Sequence, residues 1–235
     1  LTGFFFVPKN TKILLKLKKL NTMELKIEKQ TRGVRIISGD EAKSRRKLLN
    51  KMIDIAEDNG FDEITIPSVE PASIYTDKAG KEILNQMYIF KDKKNRDLCL
   101  RPEGTATIQL LADKFWKTQK DVKLWYFERC YRYERPQKGR YREFFQFGVE
   151  VINPRSETIK EELISMATKM VKLMCEDDEF KVFDEVKRGL DYYVEDGFEI
   201  SVDKLGAQKQ VCGGGSYKQG IGFAIGFDRL MLCKD

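Results

Sequence analysis

Apolar positions along this chain follow two periods, one helical and one alternating. Leu49, Met52, Ile53 and Ala56 recur at spacings of three and four, which predicts a helix. Ser38-Gly39-Asp40-Glu41 ahead of them has the form of a capping box, and Gly60 supplies a stop. Phe61, Ile64 and Ile66 then lead into Pro67, a strand ending at a turn or sheet edge that could serve in dimer formation. Two short strands, 87–90 and 97–100, flank the turn Asp92-Lys93-Lys94-Asn95. Ile108, Leu111 and Phe115 mark the apolar face of a second helix. Residues 122–127 and 144–152 read as an antiparallel hairpin joined by a polar loop over 133–141. A third helix over 157–175 carries Ile159, Leu163, Met166, Met170 and Met174 on one face, and these methionines read as core packing. Strands follow at 198–202 and at Val211-Cys212, and 222–232 reads as strand into helix. No repeat or low-complexity linker interrupts the order. The fold class is α+β, a mixed, mainly antiparallel sheet flanked by helices.

Length narrows this little: 235 residues suit one large domain or two small ones. Residues 1–22 read as an extension or a mis-called start ahead of Met23, and 23–235 as the domain proper. No apolar run approaches the ~20 residues of a membrane span. The net charge of +6 suits a polyanionic partner without requiring one. Five scattered cysteines with no C-x-x-C pair read as reduced thiols of a cytoplasmic protein. The chain has no histidine, which excludes imidazole-based catalysis and the usual zinc spacings.

Candidate chemistry concentrates between Tyr131 and Val151. Alternation along the return strand puts Phe145, Phe147, Val149 and Val151 on a core face. Phe144, Gln146, Gly148 and Glu150 share the other face, where Gly148 is expected to leave a gap between an amide and a carboxylate. That face is either a ligand platform or an ordinary solvated surface, and periodicity does not decide. The preceding loop favours the ligand reading, because Arg132, Arg135, Lys138, Arg140 and Arg142 crowd it, and guanidinium forks bind phosphate oxygens in pairs. Three weaker signals follow. Arg188-Gly189-Leu190-Asp191-Tyr192-Tyr193 reads locally as a turn into a strand. Cys212-Gly213-Gly214-Gly215-Ser216-Tyr217 would let backbone approach a ligand. Arg229 stands in the first turns of a helix behind Gly222 and Gly226. No Walker A loop or dinucleotide fingerprint is present.

In this order the segments resemble the catalytic core of a class II aminoacyl-tRNA synthetase of the histidyl-tRNA synthetase family, over about Arg32 to Leu232 with gaps. Gly60 to Pro71 is similar to the family's first motif, the dimer edge. Arg101 to Thr105 matches its RPEGT loop, and Arg132 to Glu150 its second motif. Arg188 to Tyr193 matches its RGLDYY signature, and Gly222 to Leu230 its third motif. The resemblance implies histidine–tRNA ligase activity with ATP and Mg2+ as cofactors, histidine and tRNA-His as partners, and a homodimer. It implies that Arg132 grips the α-phosphate and Arg229 the γ-phosphate. Glu134 would contact the adenine amino group, Phe144 would stack on its ring, and Arg140 would join the ATP set. Glu103 and Gln146 would hold the amino group of histidine, with Thr105 nearby. Glu150 and Tyr193 would face the imidazole, Tyr192 would belong to the same pocket, and Tyr217 would close it. Arg188 would lie between the histidine carboxylate and the α-phosphate, as a catalytic residue beside Arg132.

The sequence departs from the family in several places. Arg132 and Arg188 are only 56 positions apart, too few for the usual insertion domain. The chain stops soon after the third motif, where an anticodon-binding domain is expected, so a separate partner for anticodon recognition enters the reading. Phe145 replaces a common histidine, and Ser216 and Lys218 replace an Arg and an Asp. Two alternatives stay open: a histidine-adenylating paralogue with another acceptor, and a non-catalytic regulatory subunit of ATP phosphoribosyltransferase.

Overall fold

A computed structural model describes residues 30–76, 81–186, 193–194 and 197–234. The expected extension over 1–22, and Arg188 and Tyr192, lie outside the described residues.

Helix α1 (Gly39–Asp58) starts where the periodicity places it and buries Leu48, Met52, Ile55 and Ala56. Ser38 is its N-cap by position, but its side chain makes no capping hydrogen bond. The expected capping box therefore does not close: Glu41 pairs instead with Arg35 at 3.2 Å. Gly60, at φ +78°, ends the helix in the left-handed region that favours glycine. The strand expected from Phe61 to Pro67 shrinks to β1 (Asp62–Glu63), parallel to the hairpin strand. Beyond it the Ile66 amide donates to the Glu128 carboxylate (3.0 Å) rather than to a neighbouring strand.

Strands β2 (Val69–Pro71), β3 (Tyr88–Lys91) and β4 (Asp97–Leu100) form a small antiparallel sheet in the order β2-β4-β3. The short helices α2 (Ser73–Thr76) and α3 (Lys81–Gln86) connect β2 to β3. The β3–β4 turn is held by Asp92 Oδ1, which accepts from the Lys94 and Arg96 amides. In register, Val69, Leu100 and Tyr88 line up beside Pro71, Leu98 and Phe90 on one face. Val69 and Phe90 are 47% and 41% exposed, so this apolar face lies open.

Helix α4 (Thr105–Phe115) leads to β5 (Val122–Tyr131) and β6 (Glu143–Ile152), the predicted hairpin in full antiparallel register. Phe115 does not join the buried face of α4; it is 66% exposed at the helix end. Helix α5 (Ile159–Val171) is shorter than expected, yet Met166 and Met170 are buried in the core as its pattern requires. Strand β7 (Phe180–Val186) carries no clean alternation and was not legible in the sequence. Strands β8 (Gly197–Val202), β9 (Gln210–Tyr217) and β10 (Gly220–Gly226) follow, and helix α6 (Phe227–Met231) brings Arg229. The glycine run at 213–215 is thus the middle of a strand.

The large sheet has the order β1-β5-β6-β10-β9-β8-β7. Alternation assigns its two faces. Trp125, Phe147, Val149 and Val151 join α1 and α5 in the main core, where Trp125 and Phe147 stack at 5.5 Å. The opposite face holds Leu124, Tyr126 and Ile152 against Ile108 and Ala112 of α4. Gln146, Gly148 and Glu150 have the parity of Ile152, so they lie on the α4 side. Arg101 joins the small sheet to the large one. It is fully buried, donates to the Ile66 and Pro67 carbonyls at 2.5 and 2.7 Å, and pairs with Glu128 at 2.7 Å. The arginine of R-P-E-G-T is therefore a staple, with its charge compensated at once.

Candidate active site

Beyond α4 the same sheet face opens into a cleft of about 360 Å³. Glu103, Thr105, Arg132, Glu134, Arg140, Phe144, Gln146, Tyr193 and Arg229, nine residues singled out from sequence, line it together. They come from five places in the chain and meet only through the sheet register.

The cleft has a cationic half. Arg132, just beyond β5, is held by Nε donating to the Pro102 carbonyl (3.0 Å), and its guanidinium lies 5.3 Å from the Phe144 ring centroid. Arg140 ion-pairs with Glu134 through Nε. Arg229 donates to the Gly139 and Gln210 carbonyls and to Gln208 Oε1, at 2.8, 2.9 and 3.0 Å. All three of its acceptors are neutral. Burial, and then the Arg132 charge, push the Arg229 guanidinium below its ordinary value. Three guanidinium groups gather here with Glu134 paired to one of them and Glu199 also in the wall, an arrangement that can receive a polyanion.

The other half is carboxylate-rich and drier. Both Glu103 oxygens accept backbone amides at the start of α4, from Thr105 (2.7 Å) and Ala106 (2.9 Å). Burial nevertheless raises the Glu103 carboxyl above its usual value, and those amides and Arg132 only offset it. Gln146 Oε1 accepts from the Cys130 thiol at 3.1 Å, an orienting contact that sequence reasoning missed. Burial pushes that thiol up to about 12, so Cys130 stays protonated and able to donate. Glu150 and Tyr217 do not line the cleft. Glu150 is fully buried beneath it, accepting from Thr105 Oγ1 (2.7 Å) and the Tyr217 hydroxyl (2.9 Å). Burial pushes its carboxyl up to about 8, the Glu103 charge adding to the effect and those two hydrogen bonds opposing it.

The gap expected at Gly148 is filled. The Tyr126 ring from the paired strand lies against Gly148 and Gly104, and a Cβ at either glycine would collide with it. Gly148→Ala is expected to displace Tyr126 and destabilise the fold by about 1–3 kcal/mol. Urea unfolding checks this, and an unchanged midpoint would contradict it.

Three further residues escaped the sequence reading. Asp228 ties the cleft to α1 and the segment before it: Oδ1 accepts from Arg35 (3.0 Å) and Arg45 (2.8 Å), and Oδ2 from the Phe145 amide (2.6 Å). Its neighbour Arg229 is fixed in consequence. Glu199 and Gln210, on β8 and β9, line the cleft beside Arg229. Their only sequence signal was parity on strands whose pairing partners were unknown.

Comparison with known proteins bears on the chemistry of this cleft. The family model described as histidyl-tRNA synthetase matches residues 33–183. The histidine–tRNA ligase of Archaeoglobus fulgidus is 33% identical, with 88% of this chain and 76% of that protein covered. The chain belongs to the histidyl-tRNA synthetase family. The Methanosarcina acetivorans histidine–tRNA ligase is 29% identical, covering 85% of this chain and 74% of that protein. The A. fulgidus alignment runs over 310 positions, more than the 235 residues here, so that synthetase carries stretches this one does not match.

Among solved structures, apo histidyl-tRNA synthetase of S. aureus superposes with a TM-score of 0.72 at 26% identity, covering 87% of this chain and 69% of that one. An ATP phosphoribosyltransferase regulatory subunit/histidyl-tRNA synthetase from Bacillus halodurans shares the fold, with a TM-score of 0.74 at 17% identity over 91% of this chain and 85% of that one. This synthetase-family chain thus has the α+β, mainly antiparallel architecture of class II enzymes. Among its described residues no helix is long and apolar enough to cross a membrane.

Proposed function

We propose that the protein is a histidine–tRNA ligase that activates histidine with ATP and transfers it to tRNA-His, with residues 23–235 as its catalytic core. The observation that carries this reading is the single cleft in which Arg132, Arg140 and Arg229 face Glu103, Thr105 and Gln146. A triphosphate suits the cationic half and an amino acid the carboxylate half. The two meet at Arg132.

In this reading the ATP triphosphate lies along Arg132, Arg140 and Arg229, with its γ end at Arg229 and its adenine on Phe144 beside Glu134. The histidine amino group sits at Glu103 and Gln146. Its imidazole points toward Thr105 and Tyr193, above the buried Glu150–Tyr217 pair. Attack of the histidine carboxylate on the α-phosphorus builds negative charge on the phosphoryl oxygens, and a fixed guanidinium at Arg132 stabilises that charge. Arg188 and Tyr192 complete the set by resemblance alone. Magnesium, when bound, would supply positive charge to neutralise the leaving pyrophosphate. Glu199, whose Oε1 accepts from Ser201 at 2.5 Å, supplies a hard oxygen donor in the wall beside Arg229 that suits it.

The open apolar face around Val69 and Phe90 supports a homodimer formed through the small sheet. The regulatory-subunit reading is less well supported, because a sensor of histidine has no need of three arginines in the same cleft. Incubation with ATP, magnesium, labelled histidine and tRNA-His is expected to give label in acid-precipitable RNA. Formation of histidyl-adenylate without labelled RNA would overturn the transfer step and favour another acceptor.

A further inference from the structure

Beneath the wall that carries Glu103 lies a second buried carboxylate, which the proposed reaction does not use. Glu70, on β2, is 2% exposed. Thr107 Oγ1 donates to its Oε1 at 2.7 Å, and the Tyr75 hydroxyl is in very close contact with its Oε2. The same Tyr75 oxygen lies 3.1 Å from the backbone carbonyl of Glu103. One hydroxyl thus touches the buried acid on one side and the main chain of the proposed amino-group ligand on the other.

A count of protons orders these contacts. A carbonyl can only accept, so the contact with Glu103 requires the single Tyr75 proton. The contact between Tyr75 and Glu70 then requires a proton from Glu70. Thr107 satisfies the remaining oxygen. A neutral Glu70 completes these three bonds and leaves only the longer Tyr75–Thr107 hydroxyl contact (3.4 Å) without a proton, whereas an ionised Glu70 would draw the Tyr75 proton away and leave the Glu103 carbonyl without it. The surroundings favour the neutral form. Burial is the dominant influence and raises the Glu70 carboxyl, which the Tyr75 and Thr107 hydrogen bonds only partly offset, with Glu128 adding a small further rise. The Arg101 charge opposes this, but that guanidinium is already engaged by Glu128 at 2.7 Å. Cys99 faces Glu70 from β4, opposite it in register, and burial keeps that thiol protonated, pushed up to about 12. Glu103 also faces Tyr75, and burial first, then the Glu103 charge, raises the Tyr75 hydroxyl.

We infer that Glu70, Tyr75 and Thr107 form a positioning unit, in which a protonated Glu70 donates to Tyr75 and Tyr75 donates to the Glu103 carbonyl, fixing Glu103 to receive the histidine amino group. The inference rests on the assignment of Glu103 to that amino group. None of the three residues lines the cleft; they act through the start of α4. The unit links the small sheet, through β2 and α2, to the amino-acid half of the cleft and leaves the arginine half alone.

The test is equilibrium binding of histidine and, separately, of ATP. Tyr75→Phe is expected to weaken histidine binding about tenfold, the effect of one hydrogen bond of about 1.4 kcal/mol, and to change ATP binding less than about twofold. Glu70→Gln keeps a donor toward Tyr75 and an acceptor toward Thr107, so it should bind histidine within about twofold of wild type. Glu70→Ala should match or exceed the Tyr75→Phe loss. Equal weakening of histidine and ATP binding, or a Glu70→Gln variant as impaired as Glu70→Ala, would overturn the inference. Infrared difference spectra between wild type and Glu70→Gln should show the carbonyl stretch of a protonated carboxylic acid at neutral pH, and its absence would also overturn it. Failure of the wild type to bind histidine would count against the proposed function, and the infrared band would then decide the proton arrangement by itself.

Discussion

Replacing Arg132 with alanine is expected to lower histidine-dependent ATP–pyrophosphate exchange by about 10²–10³-fold while the protein stays folded. The geometry separates these outcomes. Among the described residues the Arg132 guanidinium makes one hydrogen bond, from Nε to the Pro102 carbonyl, and it is partly exposed in the cleft. Losing that bond alone costs about 1 kcal/mol of stability. In the proposed reading the remaining nitrogens are available to the phosphoryl oxygens, since Arg132 lines the cleft. A preorganised cation there acts in a partly desolvated wall, where Coulomb attraction is stronger than in water. Arg132→Lys keeps the charge but loses the planar fork and the Nε contact, so most of the deficit should remain. Exchange rates measured beside thermal melts check both statements. Near-normal exchange in the alanine variant would remove Arg132 from the mechanism.

The stability of the empty protein is expected to fall as pH rises from about 5 to about 8, and Glu150→Gln should remove the Glu150 share of that slope, leaving what Glu70 and Glu103, whose carboxyls burial also raises, contribute. Burial pushes the Glu150 carboxyl up to about 8 from an ordinary 4.5. Between those values the folded protein holds a proton that the unfolded chain has released. A proton bound more tightly by the native state makes unfolding easier as pH climbs, so the sign is a loss of stability with rising pH. Below about 4.5 both states hold the proton, and the group exerts no penalty. Above about 8 the penalty is complete, on the order of 4–5 kcal/mol. Thr105 and Tyr217 donate to Glu150 and offset part of the desolvation cost of the charged form. Glutamine preserves the volume and one acceptor at that site while removing the titration. Urea midpoints at pH 5, 7 and 9 for both proteins check this. A parallel decline in wild type and Glu150→Gln would place the pH dependence elsewhere.

Much of the site was legible in the sequence because short-range order carries it. The alternation from Phe144 to Val151 assigned the two faces of β6 correctly, since a half-buried strand exposes its pattern directly. Arginine density in the 133–141 loop marked the cationic half for the same reason. What failed depended on partners far along the chain. The space at Gly148 belongs to Tyr126, its opposite number on β5, and a glycine does not announce what fills it. Arg101 could be matched to a motif but not recognised as a staple, because its acceptors Ile66, Pro67 and Glu128 come from two other segments. The Arg35–Asp228–Arg45 bridge spans more than 180 positions and carries no local signature. Strand β1 was overestimated because the Glu128 side chain takes the Ile66 amide that a longer ladder would have used. Strand β7 was missed because its exposed residues include Lys181, Asp184 and Glu185 beside Val182 and Phe183, a pattern without period.

The division of the cleft into a triphosphate half and an amino-acid half is the centre of the account. ATP–pyrophosphate exchange with saturating ATP and magnesium, run with histidine and then with each other amino acid, tests it most directly. Label is expected to enter ATP with histidine and stay at background with the others, and Arg132→Ala should remove the signal. Absence of histidine-dependent exchange in a folded protein that binds both ATP and histidine would contradict the account.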